Sequence, residues 1–204
     1  MLRTLQILGT LAVNAIPLAG VLWFGWNVFE VLLVYWFENV AIGIFHAVRL
    51  GICSRTNAVK GGLGTTAFFA AHYGMFTLVH GVFVFSYFGI LSDGIRSLQG
   101  GLSLPVFSVF GWQALQLAYD TVATGGFKGR DPTSMMFEPY PRVLALHFTV
   151  IVGGFLITAI GAPIWALIVL VMVKTLCDVF IGLVLTPGGR TPAELLAALR
   201  KLRD

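Results

Sequence analysis

The sequence predicts an all-α fold: six transmembrane helices with both termini cytoplasmic, then a short amphipathic helix on the cytoplasmic surface. Three observations predict it. Hydrophobic residues make up 57% of the 204-residue chain and charged residues 11%, with a mean hydropathy of +0.88. That is more apolar surface than a soluble domain of this size can cover. The runs Thr4–Phe29, Gly61–Ser92, Ser97–Tyr119 and Val143–Val173 hold no Lys, Arg, Asp or Glu, and a spanning helix needs about 20 such residues. The basic residues, finally, fall almost entirely on one side of the arrangement those runs define.

The first span, about Leu5–Leu22, follows Met1-Leu2-Arg3. It is read as uncleaved, because its apolar character continues through Ile16-Pro17-Leu18 to Trp23, past the roughly 7–15 residues of a signal-peptide core. The next five are about Val28–Val48, Thr65–Ile90, Leu104–Ala123, Val143–Ile160 and Ile164–Leu185. Glycine pairs at Gly61-Gly62, Gly100-Gly101 and Gly125-Gly126 separate them, and Gly161-Ala162-Pro163 predicts a tight hairpin between the last two. Residues 1–190 form the transmembrane domain.

With the N-terminus inside, eleven of the thirteen basic residues face the cytoplasm: Arg3, Arg49, Arg55, Lys60, Lys128, Arg130, Arg142, Arg190, Arg200, Lys201 and Arg203. Arg96 lies outside and Lys174 lies within a span. This positive-inside bias requires an even number of spans and places the protein in the cell inner membrane. It also accounts for the net charge of +4 and pI near 9.3 without a nucleic-acid partner. In residues 191–204, Thr191-Pro192-Ala193-Glu194 reads as a helix start. Leu195, Leu196, Leu199 and Leu202 then set an apolar stripe against Arg200, Lys201 and Arg203. Cys53 and Cys177 show no metal or redox spacing.

Function points to the polar residues inside the spans. Glu38 interrupts an apolar helix, where a carboxylate at mid-bilayer costs about 2.5–3.5 kcal/mol unless paired, protonated or bound to a cation. Asn39, His46, His72, His80, His147, Lys174 and Asp178 are also intramembrane. Counting depth from the span ends brings His72, His147 and Asp178 to one layer, with Glu38 slightly above. Lys174 and Asp178, spaced i,i+4, can neutralise each other.

Several uses compete, and a divalent-metal site leads, with transport as the runner-up. His72, His80, His147 and Asp178 are candidate ligands for a divalent metal such as zinc. Glu38 would then act as general base towards a metal-bound water, and Asn39 and Lys174 would stabilise an oxyanion. That would be a membrane-embedded hydrolase of a lipid or lipid-linked substrate. The same residues can instead relay protons or a coupling cation in a transporter or channel. His72 and His147 could also hold a haem. The bland alternative is a structural or accessory subunit in which each polar group answers a helix neighbour. Arg142, with His46, is a candidate contact for a lipid phosphate or anionic substrate. Expected partners are membrane lipids and a lipid-like or small-molecule substrate, with a homo-oligomer left open.

Asn14, Tyr35-Trp36-Phe37-Glu38-Asn39, His72-Tyr73-Gly74, His80-Gly81, Pro139-Tyr140-Pro141-Arg142 with Leu146-His147, and Lys174-Thr175 with Asp178 together resemble an uncharacterised family of bacterial integral membrane proteins. The likeness covers most of the chain. That family has no assigned activity, so the resemblance implies a shared site and no reaction.

Overall fold

A computed structural model of the chain describes residues 2–91, 93–96, 98, 101–123, 125–144, 146–147, 168–169, 171–177 and 179. Among them, regular structure is helical throughout, as the apolar runs predict. Helix α1 is Leu2–Phe24, α2 is Val28–Thr56 and α3 is Gly62–Phe83, continued by a π-helical segment Val84–Leu91. Helix α4 is Ser103–Ala123 and α5 is the short Pro132–Met136. Residues 140–144, 146–147, 168–169, 171–177 and 179 are also helical. Asp178, the Gly161-Ala162-Pro163 turn and the tail 191–204 lie outside the described residues.

Two helical stretches, Val28–Thr56 and Gly62–Ile90, are long and apolar enough to cross a membrane, and Ala15–Phe24 is a shorter apolar helix. Helix α2 is the hub, lying against α1, α3, α4 and α5. Its start is fixed locally. The Asn27 side chain accepts from the Glu30 N–H at 3.0 Å, and the Glu30 carboxylate accepts from the Asn27 N–H at 2.9 Å. This capping box satisfies two orphan donors, and it puts a carboxylate at the positive end of the helix. It explains how Glu30 can be fully buried. Sequence reading ended this helix at Val48, before Arg49. The helix runs on to Thr56 because Arg49 pairs with Asp120 on α4 at 3.5 Å.

Gly25, at φ 66°, reverses the chain between α1 and α2, so that the Trp26 N–H donates to the Gly20 carbonyl at 3.0 Å. The other end of the bundle is closed by residues 125–138. Gly125, at φ 57°, ends α4, and the Gly126 N–H returns to the Thr121 carbonyl at 2.8 Å. The Asn57 amide Nδ2 lies 3.0 Å from the Phe127 carbonyl and 3.2 Å from that of Arg130, and its oxygen accepts from the Gly129 N–H at 2.6 Å. Phe127, Met135 and Met136 are thereby buried against Leu50, Cys53 and Phe69.

The α2–α3 seam is set by glycines meeting aromatics. Gly43 of α2 lies against Tyr73 of α3, and Gly81 of α3 lies against Trp36 of α2. The Trp36 indole N–H donates to the Thr77 carbonyl at 2.8 Å. A Cβ on Gly81 would stand 2.7 Å from the indole nitrogen, whereas a Cβ on Gly74 meets nothing within 4 Å. Gly81→Ala should therefore cost about 1–3 kcal/mol by overpacking, while Gly74→Ala should be neutral or stabilising. Thermal denaturation of the two variants in detergent checks this; a Gly81→Ala melting temperature at or above that of the parent would contradict it.

Candidate functional site

The polar candidates in the apolar runs resolve into separate pairs. Glu38, on α2, forms an ion pair with Lys174 at 2.6 Å. Lys174 is 5% exposed and Glu38 15% exposed, and the ammonium also lies 4.6 Å from the centre of the Tyr35 ring. Lys174 is thus answered across the bundle by Glu38, while Asp178, four positions on in the sequence, lies outside the described residues.

Asn39, the next residue, turns elsewhere. Its Oδ1 accepts from the Tyr73 hydroxyl at 2.6 Å, and its Nδ2 donates to the Thr77 hydroxyl at 3.4 Å. Thr77 in turn donates to the Tyr73 carbonyl at 3.0 Å. Asn39, Tyr73 and Thr77 are all buried, so the group forms a closed polar knot between α2 and α3. Beside it, α2 and α3 form an apolar groove of about 800 Å³ walled by Trp36, Gly43, Tyr73, Gly74, Thr77 and Gly81.

The four histidines divide two and two. His80, on α3, meets His147 ring nitrogen to ring nitrogen, with the rings edge to face at 4.6 Å between centroids. The other nitrogen of His80, Nδ1, is buried with no hydrogen-bond partner among the described residues. His72 sits two turns away. Its Nδ1 is hydrogen-bonded to the Tyr140 hydroxyl at 2.8 Å, and its ring stacks on Phe68 at 5.5 Å and tilts against Phe76. His46 Nε2 donates to the Met135 carbonyl at 2.9 Å, holding α5 under the bundle.

These contacts correct the expected layer. His147 lies level with His80, whereas His72 lies level with Tyr140. The helix carrying His147 is already formed at residue 140, and residues 125–138 fold back beneath α2, so counting depth from Val143 misplaces it. His72 and His147, the pair considered for a haem, contact Tyr140 and His80 respectively. Of the expected ligands, the structure joins His80 to His147 and places His72 apart. Among the described residues no three His, Cys, Asp or Glu side chains gather.

A second polar cluster forms where the basic residues collect. Arg49 pairs with Asp120, and Arg130 pairs with Glu138. Arg142 lies at the same end, since its neighbour Val143 packs with Leu50, Cys53 and Phe127. Burial pushes the Glu138 carboxyl above its usual range, and Arg130 and then Arg49 pull it back. The Asp131 carboxylate lies below its usual range because it caps α5, accepting from the Ser134 N–H and hydroxyl at 2.8 and 2.9 Å. Among the described residues, Arg96 is the basic residue at the opposite end, exposed and 3.8 Å from Asp93.

A model described as a family of unknown function, DUF6498, matches residues 1–199. The chain belongs to that family. No curated protein and no solved structure matches it. The polar pairs therefore describe a DUF6498 member in its own terms. Several partners in them escaped the sequence reading. Asp120 and Glu138 are single acids at the margins of apolar runs, with no local spacing that ties them to Arg49 or Arg130. Tyr73 and Tyr140 entered only through the family resemblance, with no partner assigned, and Thr77 was not singled out. Asn27-x-x-Glu30 did carry a legible signal, since it is a capping-box spacing.

The buried pair gives a direct test. Glu38→Gln or Lys174→Met alone leaves one buried charge without its partner and should cost about 3–5 kcal/mol, whereas the double variant should recover most of that loss. A double-mutant cycle on melting in detergent measures the coupling; additive losses would show that the two side chains do not interact.

Proposed function

We propose that this DUF6498 member is a six-span inner-membrane protein, both termini cytoplasmic, that moves protons or a coupling cation through a path of intramembrane polar pairs. The observation that carries the reading is the Glu38–Lys174 pair inside the apolar stretch Val28–Thr56. A carboxylate and an ammonium so placed are costly to keep, and a pair that exchanges protons or a cation is one reason to keep them. His72 with Tyr140 and His80 with His147 continue the path along α3, about 12 Å apart at 1.5 Å per residue. Imidazoles and phenols can both give and accept a proton.

The orientation is supported by the collection of Arg49, Arg130 and Arg142 at one end of the bundle and Arg96 at the other. With thiols introduced one at a time, Leu98→Cys should react with an impermeant thiol reagent in intact cells, and Ala58→Cys only after permeabilisation. Labelling of both from the same side would refute the topology.

A second reading keeps a divalent metal, zinc for preference, and hydrolysis of a lipid or lipid-linked substrate. It is favoured by the ring nitrogens of His80 and His147, which converge from two helices as metal ligands do, and Asp178 would complete the set. In this reading Glu38 must leave Lys174 to act as base, with Asn39 turned from Tyr73.

Flux into proteoliposomes holding a pH-sensitive dye, under an imposed membrane potential, separates the two. The transport reading expects flux that Glu38→Gln and Lys174→Met abolish, with no stoichiometric metal in the purified protein. One zinc per chain, lost in His80→Ala and unaccompanied by flux, would replace it with the metal reading.

A further inference from the structure

We propose that Arg49, Arg130 and Arg142, at the basic end of the bundle, form a binding site for a phosphate-type oxyanion. The site is built from α2, from the segment after α4 and from the helical residues 140–144. It is separate from the Glu38–Lys174 and His80–His147 pairs and does not depend on the transport reading.

Charge balance is the first argument. Of the three guanidinium groups at this end of the bundle, Arg49 and Arg130 pair with Asp120 and Glu138, Arg142 makes no ion pair among the described residues, and the remaining acid, Asp131, is exposed and taken up in capping α5. His46 does not supply the balance, because its Nε2 donates to the Met135 carbonyl and the group carries no negative charge. The second argument is an unmet hydrogen-bond demand. Arg49 Nε and Arg130 Nη1 are buried and have no acceptor among the described residues. The Arg49 side chain is only 11% exposed. Leaving such donors unpaired is costly, and a tetrahedral oxyanion supplies several acceptors in the geometry a guanidinium fork matches.

The third argument is rigidity. Asn57 fastens the carbonyls of Phe127 and Arg130 and the N–H of Gly129 to the end of α2, and His46 fastens Met135. Arg49 and Arg130 are therefore held relative to each other by ion pairs and by the backbone, which lowers the ordering cost of binding an anion. The phosphate can belong to a lipid headgroup or to a free ion, since both present the same oxygens.

Binding to the full-length protein in detergent tests the site, with inorganic phosphate and dioctanoyl phosphatidylglycerol as probes and dioctanoylglycerol as the uncharged control. Saturable binding of phosphate, of the phospholipid or of both is expected, with no binding of the control. Binding of phosphate identifies the free ion as sufficient; binding of the phospholipid alone identifies a headgroup. Arg142 takes no part in either ion pair, so Arg142→Gln should keep the fold while weakening binding about tenfold, the equivalent of one charge-assisted contact. Arg130→Gln combined with Glu138→Gln removes a whole ion pair and should weaken binding similarly. Failure of both probes to saturate, equal binding of the control, or parental affinity in both variants would overturn the proposal.

Discussion

An apolar helix bundle leaves its polar groups few ways to be satisfied, and this constraint governs most of what α2 and α3 do. Where lipid or packed hydrocarbon surrounds a helix, each polar side chain must find its partner within the protein. Glu38 finds Lys174, Asn39 finds Tyr73 and Thr77, and Trp36 finds the Thr77 carbonyl. None of these contacts is local in sequence. Each ties two helices together at one height, so the polar residues fix the alignment of a bundle whose apolar faces would tolerate many.

The fold class was legible because composition and charge-free length are global properties that survive errors at any single boundary. Boundaries were less so. Val28 was placed correctly, as Asn27 and Glu30 cap the helix from its own sequence. The other end was placed eight residues early, because Arg49 looked like an interface charge, whereas Asp120 draws it into the bundle. No spacing rule connects residues 71 positions apart.

The candidate site was legible as a set of residue types and misread as an arrangement. Residues 125–138 appeared to be an exposed connection, being rich in Gly, Pro and charge. In the structure they bury Phe127, Met135 and Met136 under the bundle, which shifts the following helix relative to α3. His147 consequently lies against His80, and Tyr140 takes the place beside His72. Two apolar methionines and a phenylalanine in a polar segment were the available hint. The helical period alone cannot convert that hint into a height.

The seam between α2 and α3 has a mechanical consequence. A glycine on α2 receives an aromatic ring from α3, and two turns away a glycine on α3 receives a ring from α2. Such a joint is keyed in both directions. Sliding either helix by a turn would take each ring off its glycine, so the seam holds α2 and α3 in one register. The key also links four positions in heredity: enlarging Gly43 or Gly81 is tolerable only alongside a smaller residue at Tyr73 or Trp36.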